Sequence, residues 1–366
     1  MECVRIFALI IFACLAAFAT LYALHYHIVW HAPFAGAIPT HFLKKGKAAA
    51  GNSLVEVIEF KDGINTRDVR QRLASSLKEF YSLGYPLLIK GGLRHWPAYE
   101  RWQSLEYLLS VVGPNTTVVL QTDVVEQGSK PYVSTSFNAF VKWLTEYPTI
   151  KQTMAYKEEI GAAYYMAEEF EFLEDYPQLY KDMLNLTDFR IFKDKLNMVG
   201  GNIDNSTSYG FETAFWMGAA GAKTGWHYDY DYSFNVLCHL KGTKTFYITS
   251  PNETENLYPS KKFDPGAILS SINFWSPDYR LYPKYHNVKY EAISLQPGDV
   301  MFVPAGFWHA AESKTHSISV SIRLMPRYLW IVNFVDRLWE MFYLNGWYVP
   351  KEGTVVHTKT FHVDSL

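Results

Sequence analysis

Apolar and polar positions divide the chain into three textures. Residues 6–24 are almost wholly apolar and follow Arg5. From 53 to 197 two periodicities alternate. Val55–Phe60, Tyr85–Lys90 and Thr116–Gln121 read as short strands. Val69, Leu73, Leu77 and Phe80 recur at helical spacing behind the polar start Asn65-Thr66-Arg67-Asp68, which predicts a helix. Helical signals also fill 137–146 and 167–184. From 211 onward short β-prone runs alternate with Gly, Pro and Asn turns: Phe211–Met217, Trp226–Tyr230, Phe234–Leu240, Thr243–Thr249, Ala292–Leu295, Val300–Val303 and Ile318–Arg323. Such runs predict a double-sheet sandwich or barrel. The expected fold class is mainly β with flanking helices, around a jelly-roll core.

Composition narrows the function classes. Of 366 residues, 49% are hydrophobic, enough for a sizeable core, and 17% are aromatic, which suits sheet faces. The net charge of −2 and the lack of any Lys/Arg run point away from a nucleic-acid partner. Cys3, Cys14 and Cys238 are the only cysteines, and two fall in the N-terminal apolar segment, so neither a disulfide framework nor a Cys-type zinc site is expected.

The N-terminal segment has the length to span a bilayer. Ala17-Phe18-Ala19 resembles a signal-peptide cleavage site, but the apolar run continues past it, which favours a signal-anchor. Lys44, Lys45 and Lys47 behind the segment favour a cytoplasmic domain, whereas sequons at Asn115, Asn185, Asn205 and Asn252 favour the endoplasmic reticulum lumen or secretory pathway. The expectation is a membrane-anchored luminal glycoprotein. Its segments are 1–30, anchor or signal peptide; 31–52, linker; 53–197, an α/β part; 198–327, the jelly-roll core; and 328–366, a C-terminal helix and tail.

The candidate chemistry gathers at Thr224-Gly-Trp-His-Tyr-Asp229. His227 and Asp229 stand two apart on a strand and so point to one face. Two imidazoles and one carboxylate form the ligand set of a non-haem Fe(II) oxygenase, with open coordination positions. The second histidine must come from a neighbouring strand. His309 follows the apolar run Val300–Val303, while His239, His286 and His316 are rivals for that role and Asp231 is a rival acid. Lys244 shares a strand face with Phe246 and Ile248. An ammonium there is costly unless paired, so either an anionic ligand meets it or the side chain reaches water at an edge.

Together these pieces resemble the JmjC (cupin-like) family of Fe(II)- and 2-oxoglutarate-dependent oxygenases, in its small hydroxylase branch. The resemblance covers roughly 55–325. It rests on Thr224 to Asp229; Asn235 leading into Lys241-Gly-Thr-Lys244; Leu295-Gln-Pro-Gly-Asp-Val-Met-Phe-Val-Pro304; Trp308-His309; and Ile318 to Ser321. Pro86-Leu-Leu-Ile-Lys-Gly-Gly, Trp96-Pro-Ala with Trp102, and Tyr164-Tyr-Met-Ala-Glu add to it. It implies a double-stranded β-helix (cupin) core with His227, Asp229 and His309 on the metal. Lys244, Thr224 and Tyr165 (or Tyr164) would take the distal carboxylate of 2-oxoglutarate, and Asn235 would lie near the metal. Fe(II), 2-oxoglutarate and O2 are the implied cofactor and cosubstrates, and a protein or peptide is the implied substrate. A lysine demethylase and a non-catalytic cupin-like binding protein are the alternatives. The resemblance also implies a C-terminal helix, Tyr328 to Leu344, that mediates dimerisation or packs on its own domain. Two departures stand out. The stretch from Asp229 to Asn235 is two residues longer than in similar hydroxylases, and Ser321 stands where relatives often carry asparagine. Trp226, Tyr228, Phe307 and Trp308 are expected to keep the site dry.

Overall fold

The computed structural model describes residues 53–60, 66–121, 132–153, 164–170, 172–190, 192, 198–199, 212–229, 233–260 and 267–326. In chain order its strands are β1 (Glu56–Glu59), β2 (Leu87–Lys90), β3 (Thr117–Gln121), β4 (Tyr132–Ser136), β5 (Tyr165–Glu169), β6 (Met198–Val199), β7 (Glu212–Gly218), β8 (Lys223–Asp229), β9 (Phe234–Lys241), β10 (Lys244–Thr249), β11 (Ala267–Leu269), β12 (Glu291–Leu295), β13 (Val300–Val303), β14 (Trp308–Ser313) and β15 (Ser317–Pro326). They form two sheets. The larger runs β1-β2-β13-β9-β15-β7-β5-β3-β4, with β6 beside β15, and the smaller runs β11-β8-β14-β10-β12. This is the expected mainly-β class with a jelly-roll core.

The cores show which side of each sheet is which. Val320, Ile322 and Leu324 of β15 and Val236, Cys238 and Leu240 of β9 pack with Leu73, Leu77, Trp96, Leu108 and Phe140, so this face of the large sheet carries the helices. Leu237, Met301 and Val303 point the other way and meet Phe246, Ile248 and Ala311 of the small sheet. Trp226, Tyr228, Trp308 and Ala310 face outward from the small sheet and are covered by Leu257, Ile272 and Tyr285.

Two buried carboxylates pin the helices. Asp188 Oδ2 accepts from Trp96 Nε1 at 2.6 Å and lies 2.8 Å from His95 Nε2, while Arg70 Nε forms an ion pair with Oδ1 at 2.9 Å. Asp182 receives Arg101 Nη1 at 2.6 Å, Trp102 Nε1 at 3.1 Å and the Tyr107 hydroxyl at 2.5 Å. The Trp96 and Trp102 motif is thus a pair of indole donors to buried acids. Beside Asp182, helix Leu105–Val112 starts at Ser104, whose hydroxyl accepts Tyr107 N–H at 3.1 Å, and buries Leu105, Leu108 and Val112. Two distant motifs meet at Asp299. Its carboxylate accepts Gly91 N–H at 3.0 Å and Gln296 N–H at 2.9 Å, tying the turn after β2 to the turn before β13.

The structure corrects the expected membrane-anchored localisation. Among the described residues no helix is long and apolar enough to cross a bilayer. Ile6 to Leu24, on which that expectation rested, and the C-terminal helix at 328–344 lie outside the described residues.

Candidate metal and keto-acid site

β8 lies inside the small sheet, between β11 and β14. His227 pairs directly with His309 of β14. His309 therefore sits on a strand of its own, beside the one carrying His-X-Asp. His227, Asp229 and His309 each offer a ligand atom, and these atoms lie within 4.8 Å of one another. The two imidazole rings are 4.2 Å apart, and Phe246 stacks on His309 at 5.4 Å.

Backbone carbonyls set both rings. His227 Nδ1 lies 2.8 Å from Gly225 O, and His309 Nδ1 lies 3.0 Å from Phe307 O. A carbonyl only accepts, so each ring donates from Nδ1–H and keeps its lone pair on Nε2, the form a metal ion takes. Burial pushes His309 down to about 4, with His227 acting in the same direction, which keeps this ring neutral near pH 7. Burial alone would raise the Asp229 carboxyl, but the Arg323 guanidinium, the largest opposing cause, and the Asn235 contact help hold it below the usual range. Two imidazoles that keep an Nε2 lone pair inward and one ionised carboxylate fit a divalent cation.

A bulge brings Thr224 onto the same face. His309 and Ala311 of β14 stand two apart, but they oppose His227 and Thr224, which stand three apart. The extra residue on β8 reverses the alternation, so Thr224 faces the way His227 does. Spacing in a regular strand would have put it on the opposite face.

Lys244 is 3% exposed, on the same inward face as Phe246 and Ile248. Its ammonium donates to the Tyr165 hydroxyl at 3.2 Å. Burial lowers it from 10.5 to about 7. Among the described residues no carboxylate forms an ion pair with it. A buried ammonium with a hydroxyl beside it fits an anion's carboxylate. The structure also separates the two tyrosines: Tyr165 reaches Lys244, whereas Tyr164 packs 4.5 Å from Trp143. Gly218 makes room for Tyr165, since a Cβ there would lie 2.6 Å from Tyr165 Cδ2 and 2.8 Å from Ala222 Cβ. Gly218→Ala is expected to cost about 1–3 kcal/mol of stability and to displace the Tyr165 ring. Thermal melting and 2-oxoglutarate titration of the variant check this.

Asn235 crosses from the large sheet, with Nδ2 3.4 Å from Asp229 Oδ2. The rival ligands lie elsewhere. His239 is engaged at both nitrogens, by Ser319 Oγ at 2.9 Å and Gly242 O at 2.8 Å. His286 stacks on Tyr279, and His316 lies in the turn before β15. Asp231 and most of the lengthened stretch after Asp229 lie outside the described residues. Ser321 accepts the Trp216 indole N–H at 2.8 Å. Of the aromatics expected to dry the site, Phe307 lies in the inter-sheet core, while Trp226, Tyr228 and Trp308 pack behind the small sheet.

The sequence reading missed Arg323. This side chain of β15 is 3% exposed and places Nη2 3.2 Å from Asp229 Oδ1. The available signal was a charged residue on a strand whose other face is Val320, Ile322 and Leu324.

Residues 73–325 match the model of the cupin-like domain. The chain belongs to the cupin-like domain family. Its relatives include Jumonji C domain-containing protein 5 of Drosophila melanogaster, 27% identical over 290 residues, covering 78% of this chain and 67% of that protein. JmjC domain-containing protein D of Dictyostelium discoideum is 27% identical over 269 residues, 72% and 57% of the two chains. Lysine-specific demethylase 8 of Xenopus tropicalis is 29% identical over 238 residues, 64% and 47%. The chain thus spans about half to two thirds of the length of these relatives. Names and fold agree with the JmjC resemblance carried by the sequence.

Proposed function

We propose that this cupin-like protein is an Fe(II)- and 2-oxoglutarate-dependent oxygenase that hydroxylates a protein side chain and releases succinate and CO2. One observation carries the reading: a single inward sheet face holds both a cation-binding set, His227, Asp229 and His309, and a buried ammonium, Lys244, suited to an anion. A keto acid bridging the two would meet opposite charge at each end.

In this reading His227, Asp229 and His309 hold the iron. Fe(II), when bound, supplies the coupling of 2-oxoglutarate oxidation by O2 to insertion of one oxygen atom into a substrate C–H bond. The chain's own part is binding and orientation. Gly225 and Phe307 carbonyls fix the imidazoles. Lys244 and the Tyr165 hydroxyl donate to the distal carboxylate, and Thr224 adds a hydroxyl from the bulge. Phe246 braces His309 and, with Leu237 and Met301, excludes water from the space between the sheets. The name of the Xenopus relative supports a second outcome of the same chemistry, hydroxylation of an N-methyl carbon on lysine.

The test is anaerobic titration of the full chain with Fe(II) and 2-oxoglutarate, followed by succinate measurement on admitting air. The proposal expects a visible charge-transfer band and succinate release that both need His227. A folded protein giving neither overturns it in favour of a non-catalytic binding module. Mass spectrometry of proteins captured by a His227→Ala trap then identifies the side chain that gains oxygen.

A further inference from the structure

Arg323 links the two sheets at the point where the metal set is most exposed to error, its single carboxylate. The residue belongs to β15 of the large sheet, between Glu212 of β7 and Asn235 of β9 in the ladder. It reaches across to Asp229 of the small sheet, with Nη2 at 3.2 Å from Oδ1. Nη1 lies 3.9 Å from Glu212 Oε1, and the guanidinium carbon stands 5.3 Å over the Phe170 ring. The guanidinium thus lies between two acids, with an aromatic face beside it. Asp229 Oδ2 accepts from Asn235 Nδ2 at 3.4 Å, a weak contact, while Oδ1 meets Arg323 as an ion pair and accepts no hydrogen bond among the described residues.

From this buried ion pair we infer that Arg323 is a positioning residue whose charge orients the Asp229 carboxylate toward the metal set and offsets its charge. The inference rests on the metal reading given above. Two consequences follow. The ion pair limits how the carboxylate can turn beside the ion, so its orientation toward the metal set depends on Arg323. The buried guanidinium also offsets the carboxylate's charge, so the loaded site remains cationic toward an anionic keto acid. Arg323 would act on cosubstrate binding without touching it.

The experiment uses Co(II) in the full chain, with its visible ligand-field spectrum, and calorimetric titration of 2-oxoglutarate into the loaded protein. Arg323→Met frees the carboxylate and removes the positive charge. The expected result is that Co(II) binds as tightly as in wild type or tighter, its spectrum changes, and 2-oxoglutarate binds about tenfold more weakly. A residue that only supports the fold would instead weaken both constants together with the melting temperature, and that result overturns the inference. Unchanged constants and spectrum overturn it as well. If Arg323→Met does not fold, Arg323→Lys keeps the charge but presents a single point donor in place of the fork. It should show the same changes in smaller measure, and a wild-type spectrum and keto-acid affinity in it count against the inference. Failure of the metal reading looks different: wild-type protein itself then shows no Co(II) binding that depends on His227.

Discussion

A His309→Ala protein is expected to bind Co(II) at least about 100-fold more weakly than wild type and to release no succinate above background. Even the loss of a partner behind a metal ligand costs about 10- to 100-fold in affinity, and His309 is proposed as a ligand itself. The geometry makes substitution by another donor difficult. His309 is paired in register with His227, its Nδ1 is committed to Phe307 O, and the rival His239 has both nitrogens engaged on the other sheet. The fold should survive, because β14 is held by β8 and β10 on both sides. Metal titration beside thermal melting checks this. Unaltered Co(II) affinity in a folded His309→Ala protein would remove His309 from the ligand set.

Lys244→Met is expected to raise the KM for 2-oxoglutarate by about 10- to 100-fold with Co(II) binding unchanged, because a charge-assisted hydrogen bond is worth about 1.5–3 kcal/mol. The same substitution should stabilise the ligand-free protein. Burial holds the Lys244 ammonium at about 7, against 10.5 for an ordinary lysine. Between those values the unfolded chain keeps a proton that the folded chain has released, so wild-type stability rises with pH across that window. Below pH 7 the folded state bears the full cost of the buried charge, on the order of 5 kcal/mol. The advantage of Lys244→Met should thus be largest at or below pH 7 and vanish near pH 10. Added 2-oxoglutarate should reverse the order at pH 7 by pairing the ammonium. Melting curves at several pH values, with and without the keto acid, test both statements.

Much of the site was legible because its chemistry conflicts with its pattern. His227 and Asp229 share a face through the two-residue period, and Lys244 stands out on an apolar strand face. Thr224 was legible only by resemblance, because a bulge places it and no spacing rule announces a bulge. β14 was hidden by Ala310 and Ala311, residues of low strand propensity that serve here because the strand is enclosed on both faces. Residues 167–184 read as helix, yet Tyr165–Glu169 pairs with β7, where sheet contacts override the local preference of Ala167 and Glu168. Arg323 escaped for a different reason. Apolar faces are read as pointing inward, but in β15 the apolar face meets the helices while Ser319, Ser321 and Arg323 face the space between the sheets. The polar side of that strand lines the site.

The pairing of β2 with β13 sets a schedule for synthesis. Val300 must meet Ile89, and Asp299 must receive the Gly91 N–H, before the large sheet closes at that end. At translation rates of 5–20 residues per second, β2 waits roughly 10–40 s after emerging from the ribosome for its antiparallel partner. During that time it can pair only with β1, and its other edge is an open template for foreign strands. The opening segment of the domain is therefore the part of the nascent chain that most needs a chaperone.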